Sequence, residues 1–420
     1  MKYAFLLLAA SCSLSSVSAQ WLDTTITVGG SPWSLVWNSQ NNKVYCANDG
    51  SNTVTVIDGA TNNVLASIPV GSGPLLRLAW NPQNNKVYCA DQGADSVTVI
   101  DGAGDSVIAA ISVGDGPFAL AWNSQNNKVY CANRMSNTVS VIDGATDSVL
   151  KTISVGTNPW ALAWNSHDNK VYCTNYVSNS VTIIGGASNN VLATVPVGEY
   201  PCALVWNSQD NKVYSANNWS HSVTVIDGAS NNVLATVPVG DYPYGVAWNS
   251  ENDKAYSANP GSSSVTVICG GADSVLTTVS VGAWPQALIY NPENSKVYCA
   301  NGDEGTVSVI DGTRDSVLKT IVVGAGPRAF CWNQYQNRVY VANSASGSVS
   351  VIRDSIWTGI KENPRGKLAA PFGRVLPQDA VVFDAMGRRV ANPRSGIYFV
   401  RDEARGVGDV GRIRKVVIQR

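Results

Sequence analysis

The chain of 420 residues exceeds the ~250–300 residues at which a single hydrophobic core stops growing, so several domains or a repeat architecture are expected. It contains 37 Gly, 13 Trp and only 3 Met, and 14% of its residues are charged, a composition that favours turns and β-structure over an α-rich enzyme. The formal net charge of −1 lacks the basic excess of a general polyanion binder, which argues against nucleic acid as a partner.

Residues 1–19 have the three-part pattern of a cleaved secretory signal peptide. Lys2 precedes the apolar run Tyr3–Ala10, and small polar residues lead to Ala19, after which we predict cleavage. The alternative is a lipoprotein signal with Cys12 as the lipidated residue, although Ala9 stands where a larger aliphatic residue is usual. No later stretch offers the ~20 apolar residues of a membrane helix, so no transmembrane segment is predicted.

An internal repeat defines most of the chain after the signal peptide. A Trp-Asn pair, replaced by Tyr-Asn in one copy, recurs at one interval of 43 residues and then at intervals of 42. The eight aromatic positions are Trp37, Trp80, Trp122, Trp164, Trp206, Trp248, Tyr290 and Trp332. Each copy contains four short apolar runs separated by turn residues, which is typical of one β-propeller blade. We predict an all-β fold with an eight-bladed β-propeller over residues 20–353, and seven blades as the alternative.

The ends of the repeat region indicate how the ring closes. The eighth copy loses the pattern after Ser348–Ile352, so its fourth strand is missing. The segment Thr24–Gly29 matches Ala66–Gly71, the fourth strand of the first copy, position by position. We therefore predict that the N-terminal segment supplies the missing strand and removes two exposed sheet edges.

The repeat resembles a known family in its sequence motifs. Asn337–Asn343 reads Asn-Arg-Val-Tyr-Val-Ala-Asn, and Ser348–Ile352 follows it. Ile-Pro-Val-Gly and its variants, such as Ile-Ser-Val-Gly and Val-Pro-Val-Gly, recur with a proline three residues beyond the glycine. These motifs resemble the YVTN-type β-propeller repeat of secreted and surface-layer proteins over about residues 23–353. Cys often stands where that pattern has Val after the Tyr. The resemblance implies architecture and location rather than a reaction, because its members share a fold more firmly than an activity.

Five cysteines share the repeat position that follows the tyrosine. They are Cys46, Cys89, Cys131, Cys173 and Cys299. Equivalent positions on neighbouring repeats are not expected within the ~7 Å between Cα atoms that a disulfide requires. We therefore interpret them as small buried apolar residues, whereas the sequence leaves the pairing of Cys202, Cys269 and Cys331 open.

The composition changes after the repeats. Residues 361–420 carry 13 Lys and Arg against 6 Asp and Glu, whereas residues 20–360 carry 15 against 24. We predict a linker over 354–372 and a small β-sandwich-like domain over 373–420, with strands at Ala380–Asp384, Gly396–Arg401 and Arg414–Ile418. These three segments resemble the C-terminal sorting domain of type IX secretion cargo, although Phe383 stands where Tyr is usual.

That resemblance implies the outer-membrane secretion machinery as a partner, and the alternative is a β appendage that packs on the propeller. The expected location is secreted or on the outer surface of a bacterium with an outer membrane, with the periplasm as the alternative.

The residues that catalysis or metal binding needs are sparse. The chain has only two histidines, His167 and His221, so a three-ligand zinc or copper site is not predicted. It has no Gly-x-Ser-x-Gly elbow, phosphate loop or His-Glu-x-x-His helix, and no cofactor is predicted. Carboxylate pairs such as Asp101 and Asp105 lie in Asp-Gly turns, where several sister copies lack one or both, so we interpret them as turn caps rather than calcium ligands.

One end of the predicted propeller varies from copy to copy, whereas the other repeats almost verbatim. The variable end carries the connections from strand two to three and from strand four to the next blade. Loops on a rigid scaffold commonly carry function, and exposed aromatic and arginine side chains suit a glycan or peptide. The predicted ligand-binding residues are Trp33, Phe118, Arg134, Trp160, Tyr176, Tyr200, Trp219, Tyr242, Tyr244, Trp284 and Arg328. The alternative is that these side chains fill the channel mouth or pack between blades.

The sequence therefore predicts a surface propeller, not an enzyme, that acts as a binding or adhesion scaffold for a glycan, peptide or partner protein. The first alternative is a hydrolase or lyase with its site at the same mouth, which convergence of two of the carboxylates Glu199, Asp241 and Asp115 near Arg328 would favour. The second alternative is a structural surface-layer component whose variable end makes subunit contacts.

Overall fold

A computed structural model describes residues 18–73, 77–356, 381–383, 396–401 and 413–418. Most of the predicted signal peptide and linker lie outside the described residues. The chain divides into two compact units, residues 1–357 and 358–420.

The first unit is an eight-bladed propeller, as predicted, in which every blade is a four-stranded antiparallel sheet. Blades 1 to 4 consist of β2 (Pro32–Asn38), β3 (Lys43–Asn48), β4 (Thr53–Asp58) and β5 (Val64–Pro69); β6 (Leu78–Asn81), β7 (Lys86–Asp91), β8 (Ser96–Asp101) and β9 (Ser106–Ser112); β10 (Pro117–Asn123), β11 (Lys128–Asn133), β12 (Thr138–Asp143) and β13 (Val149–Ser154); β14 (Pro159–Asn165), β15 (Lys170–Asn175), β16 (Ser180–Gly185) and β17 (Val191–Pro196).

Blades 5 to 7 repeat the same meander. Their strands are β18 (Pro201–Asn207), β19 (Lys212–Asn217), β20 (Ser222–Asp227) and β21 (Val233–Pro238); β22 (Gly245–Asn249), β23 (Lys254–Asn259), β24 (Ser264–Cys269) and β25 (Ser274–Ser280); β26 (Pro285–Asn291), β27 (Lys296–Asn301), β28 (Thr306–Asp311) and β29 (Ser316–Val322). Short 3-10 helices occupy Asp49–Ser51, Gln92–Ala94 and Pro260–Ser262.

Blade 8 combines both ends of the repeat region. It contains β30 (Pro327–Asn333), β31 (Arg338–Asn343), β32 (Ser348–Ile356) and, as its outer strand, β1 (Ser18–Thr27). Ile26 lies opposite Val349 in the register that the sequence match predicts, and its side chain is buried. β32 continues four residues beyond the predicted end at Ile352, and Asp354 in this extension is buried.

The hydrophobic core lies between neighbouring blades. The second and third strands of each blade are almost fully buried, because both of their faces pack against other blades. The cluster between blades 3 and 4, for example, combines Tyr130, Val141, Val171 and Ile184. The eight described cysteines are free thiols, and the five at the shared repeat position are buried, in agreement with their interpretation as core residues. Cys202 and Cys331 are also buried, whereas Cys269 is partly exposed.

A ring of side-chain hydrogen bonds joins all eight blades at the end whose loops repeat. The buried Asn of each Trp-Asn or Tyr-Asn pair donates to the turn between the first two strands of the next blade, at 2.7 to 3.3 Å. The pairs are Asn38 with Asn85, Asn81 with Asn127, Asn123 with Asn169, Asn165 with Asn211, Asn207 with Asp253, Asn249 with Ser295, Asn291 with Asn337, and Asn333 with Asn42. Near-verbatim repetition of this end therefore has a structural cause.

A second set of contacts runs beside this ring. In blade 1 the Lys43 ammonium and the Tyr45 hydroxyl both reach Asp105 of blade 2, at 2.8 and 2.7 Å. Asp101, in the same turn, accepts a hydrogen bond from the Gly104 backbone N–H at 2.8 Å. One carboxylate of the pair thus caps its turn, and the other binds the preceding blade.

The second unit contains a three-stranded antiparallel sheet. Its strands are β33 (Val381–Phe383), β34 (Gly396–Arg401) and β35 (Ile413–Ile418), in that order. They lie within one residue of the predicted segments at most bounds, whereas the remainder of the predicted sandwich is outside the described residues. No helix in the described part of the chain is long and apolar enough to cross a membrane.

Candidate functional site

The predicted binding residues all lie at one end of the propeller. The innermost strand of each blade begins at this end, so the loops that precede these strands and the loops between strands two and three surround the mouth of the central channel. In six of the blades, the residue after the loop proline lies in the innermost strand and therefore points toward the mouth or toward a neighbouring blade.

Six of these side chains form a continuous aromatic arc across blades 3 to 6. Its members, in order, are Phe118, Trp160, Tyr176, Tyr200, Trp219 and Tyr242. Successive ring centroids are 4.4, 4.6, 4.8, 6.1 and 5.6 Å apart, which are distances of direct aromatic contact. Each blade thus contributes rings that reach those of its neighbour.

The first ring of the arc is buried, and the rings of blades 5 and 6 are exposed. Phe118 is only 3% exposed, so the expectation that its ring forms part of the open surface is wrong; it packs beneath Trp160 and the Arg134 guanidinium. Further along the arc, Tyr200 is 36%, Trp219 is 55% and Tyr242 is 37% exposed. The arc therefore runs from a buried anchor at the mouth to open rings on the rim.

Three rim aromatics occupy a backbone conformation that is unfavourable for a bulky residue. Tyr200, Tyr242 and Trp284 have φ of 53°, 56° and 56°, in the left-handed region. The equivalent loop position in the other described blades holds Ser31, Gly73, Gly116, Asn158 and Gly326. A bulky residue is unfavourable in this conformation, and such strain occurs chiefly where a side chain has a functional task.

The remaining predicted residues lie elsewhere on the same rim. The Arg328 guanidinium stacks on Trp33 at 3.7 Å and donates from Nε to the Ser344 hydroxyl at 3.1 Å. Trp284 is 47% exposed, and within the described residues its ring contacts no member of the arc. Tyr244 lies at the channel mouth, where burial raises the pKa of its hydroxyl.

His221 has a local structural role. Its Nδ1 accepts the backbone N–H of Tyr242 at 2.9 Å. In neighbouring blades the side-chain oxygen of Asn137 or Asn179 accepts the corresponding N–H. The His221 imidazole therefore accepts the loop N–H that an asparagine side chain accepts in the other two blades. It thereby orients Tyr242, the last ring of the arc.

The acid and base groups of the rim do not converge. Asp241 lies 3.8 Å from His221, and within the described residues neither it nor Glu199 nor Asp115 forms an ion pair with Arg328. No group of three or more His, Cys, Asp or Glu in the described ranges could hold a metal ion. Burial raises the pKa of the Cys202 thiol to about 12, so the thiol is protonated at neutral pH.

Arg77 is a rim residue that the sequence analysis missed. It immediately precedes β6, and its side chain is exposed. The surrounding protein nevertheless reduces its hydration and lowers the pKa of its guanidinium.

Comparison with known proteins supports the architecture. The family model described as "Lactonase, 7-bladed beta-propeller" matches residues 77–233, a little over a third of the chain. The chain is a β-propeller repeat protein. No curated protein matches it.

Two solved structures illustrate the likeness of fold. The computationally designed Ika8 protein superposes with a TM-score of 0.67 at 18% identity, covering 80% of this chain and 100% of its own. The hydrazine synthase of Kuenenia stuttgartiensis gives a TM-score of 0.57 at 20% identity, covering 79% and 97%. Identities this low show a shared propeller fold and nothing about activity.

Proposed function

We propose that this propeller is a binding scaffold that holds an extended ligand, a glycan or a peptide, on its variable end. The continuous aromatic arc is the observation that carries the proposal. An exposed strip of aromatic rings costs free energy in water unless a ligand covers it, and large exposed apolar patches commonly mark interaction sites. The tyrosine hydroxyls of the arc add polar groups that a flat apolar strip lacks.

A glycan and peptide array with the propeller tests this proposal. Trp219→Ala combined with Tyr200→Ala removes two open rings of the arc, and we expect at least a tenfold loss of affinity for ligands that the parent protein binds. Tyr335→Ala is the matched control, because that ring is 63% exposed at the opposite end. Unchanged affinity in the double variant, with both variants folded, would show that the arc is not the binding surface.

The same proposal places the protein on the outer surface of a bacterium. The signal peptide pattern, the resemblance to YVTN-type repeats of secreted proteins and the three ordered C-terminal segments support it. Deleting residues 416–420 removes most of β35, so in a host with a type IX route we expect a folded propeller that remains inside the outer membrane. If the C-terminal unit is only an appendage, export stays normal and the melting temperature falls; surface display of the truncated chain would contradict the sorting role.

Lactone hydrolysis at the channel mouth is a second candidate, favoured by the family model that matches residues 77–233. Arginine side chains could polarise a lactone carbonyl there, but a base is also needed to activate water. The described groups nearest the mouth are poor bases, because the Cys202 thiol is protonated and burial raises the pKa of Tyr244. A pH-stat assay with a panel of lactones, with Arg328→Ala as the site variant, distinguishes the two functions: Arg328-dependent turnover would favour the enzyme.

A further inference from the structure

Blade 2 differs in length from the other repeats at a single place. Its loop proline, Pro74, lies six residues before the Trp-Asn tryptophan, whereas in the other seven copies the proline lies five residues before the aromatic residue. This one extra residue accounts for the single interval of 43. Arg77 stands in that segment, three residues before Trp80. The equivalent positions hold only small residues: Ser34, Ala119, Ala161, Ala203, Gly245, Ala287 and Ala329.

Arg77 and two other arginines lie at the same mouth as Tyr244. Blade 2 lies across an eight-membered ring from blade 6, and Tyr244 immediately precedes the innermost strand of blade 6. Although burial raises the pKa of the Tyr244 hydroxyl overall, the charges of Arg77, Arg328 and Arg134 each act to lower it. The inner strands of blades 8, 1, 2 and 3 pack consecutively around the channel, so Arg328, Arg77 and Arg134 come from neighbouring parts of this mouth.

These charges lack internal partners. In the part of the chain that the structure describes, none of the three arginines forms an ion pair with a carboxylate. Arg134 donates through Nε to Asn158 at 2.9 Å, and Arg328 uses its Nε for Ser344, which leaves the terminal nitrogens of both available. Asp303 and Glu304 border a shallow groove of about 520 Å³ that Arg328 also lines, but neither pairs with it.

We propose that the channel mouth holds a subsite for the carboxylate or sulfate group of an acidic glycan, bound by Arg77, Arg134 and Arg328 with the Tyr244 hydroxyl as a further donor. Guanidinium groups suit oxyanions because they present parallel N–H donors. The subsite rests on the proposed binding function, since the sugar rings that follow the acidic group would lie on the aromatic arc. Arg134 joins the two regions, because its guanidinium stacks on Trp160 at 4.4 Å.

A glycan fits this combination better than an acidic peptide. Aromatic rings that present open faces in sequence match a chain of sugar rings, whereas peptide recognition depends on pockets that enclose side-chain anchors. Two grooves of the described surface, one lined by residues that include Pro196, Gly198 and Ser220 and the other by residues that include Gly302, Glu304 and Arg328, are open and shallow rather than enclosed. An acidic peptide is therefore an outcome that the test must exclude.

Calorimetry with matched probes tests the subsite in the full propeller. Glucuronate is compared with glucose, polygalacturonate and dextran sulfate with neutral dextran, and polyglutamate serves as the acidic peptide. Arg77→Ala introduces the residue found at this position in five other blades, so the fold should tolerate it, and Arg77→Lys retains the charge. Arg314→Ala, at an exposed arginine of the opposite end, is the charge-matched control.

We expect glucuronate and the acidic polysaccharides to bind, with at least a tenfold weaker affinity in Arg77→Ala, partial recovery in Arg77→Lys and no change in Arg314→Ala. The carboxylate and sulfate polymers show which oxyanion is preferred. Equal binding of acidic and neutral polysaccharides, unaffected by Arg77→Ala, would overturn the subsite and leave the arc in place. Equal or tighter binding of polyglutamate would overturn the glycan assignment, and failure of every polymer to bind would contradict the scaffold function itself.

Discussion

Asp91 is a buried carboxylate at a position where the seven other blades have Asn. In blade 3 the corresponding Asn133 donates its amide N–H to the hydroxyls of Thr138 and Ser140 at 3.0 and 2.9 Å. A carboxylate cannot donate, and Thr98 donates to Asp91 instead, at 2.5 Å. Burial raises the pKa of Asp91, and within the described residues its Oδ1 has no hydrogen-bond partner.

Asp91→Asn should therefore stabilise the propeller at pH 7 by about 1–2 kcal/mol. The raised pKa of Asp91 means that this carboxyl destabilises the folded protein least below the unfolded value of ~3.9, where it is protonated in both states, and that its cost grows as pH rises toward the folded value. The gain from the substitution should accordingly shrink as pH falls to about 4. Urea unfolding of both proteins at several pH values measures it. The reverse change, Asn133→Asp, is the matched control and should destabilise; an Asp91→Asn variant no more stable than the parent at pH 7 would contradict the account.

At the scale of the strand, β1 is the element on which ring closure depends. It covers the edge of β32, and its Gln20 side chain donates to the buried Asp354 at 2.7 Å. The Lys319 ammonium also binds the Gln20 carbonyl, and Asp23 lies 3.5 Å from Arg338. Cleavage after Ala19 would leave Gln20 as the first residue and retain all of these contacts.

Deleting residues 20–28 should lower the melting temperature by several degrees or more, because several backbone hydrogen bonds of about 1 kcal/mol each and the burial of Ile26 are lost together. A pair of point variants separates packing from strand loss. Ile26→Ala, at a buried position, should cost about 2–4 kcal/mol, whereas Leu22→Ala, 38% exposed on the same strand, should cost much less. Equal midpoints for the deleted and parent proteins would show that the ring closes without β1.

The sequence alone predicts the repeat, the blade number and the closing strand, because each follows from a period or a local match. It does not predict the buried place of Phe118, since a residue that enters an innermost strand can turn to the mouth or to the next blade, and packing decides which. It indicates local turn capping for the Trp-Asn asparagine but not its bond to the next blade, which exists only once the ring is closed. The sequence does not predict the place of Arg77 at the rim. The interval of 43 marks its segment, but a repeat period shows how many blades there are and not where a side chain lies.

For the molecule as a whole, one end of the propeller joins the blades and the other is open to variation. Buried tyrosines on the second strands contribute to the joining end; Tyr340 of blade 8, for example, donates to Asn62 of blade 1 at 2.8 Å and so closes the circle. Because eight equivalent tyrosines are fully buried around the ring, ionisation of any of them is incompatible with the packed state.

Alkaline pH should therefore unfold the propeller cooperatively. Burial raises the pKa of Tyr130, Tyr172 and Tyr340 to about 12 from a usual value near 10. A raised folded pKa contributes stability that is complete below pH ~10 and is lost as pH rises through 12, on the order of 2–3 kcal/mol for each of these three groups. We expect tyrosinate absorbance from the eight buried rings to increase in one step, coincident with the loss of β-sheet circular dichroism.

Tyr130→Phe should make the loss of stability with pH less steep, whereas Tyr335→Phe, at an exposed ring, should leave it unchanged. Ionisation of the buried tyrosines at pH 10 in a protein that retains its sheet signal would contradict this account, because it would mean that the rings between the blades are open to solvent.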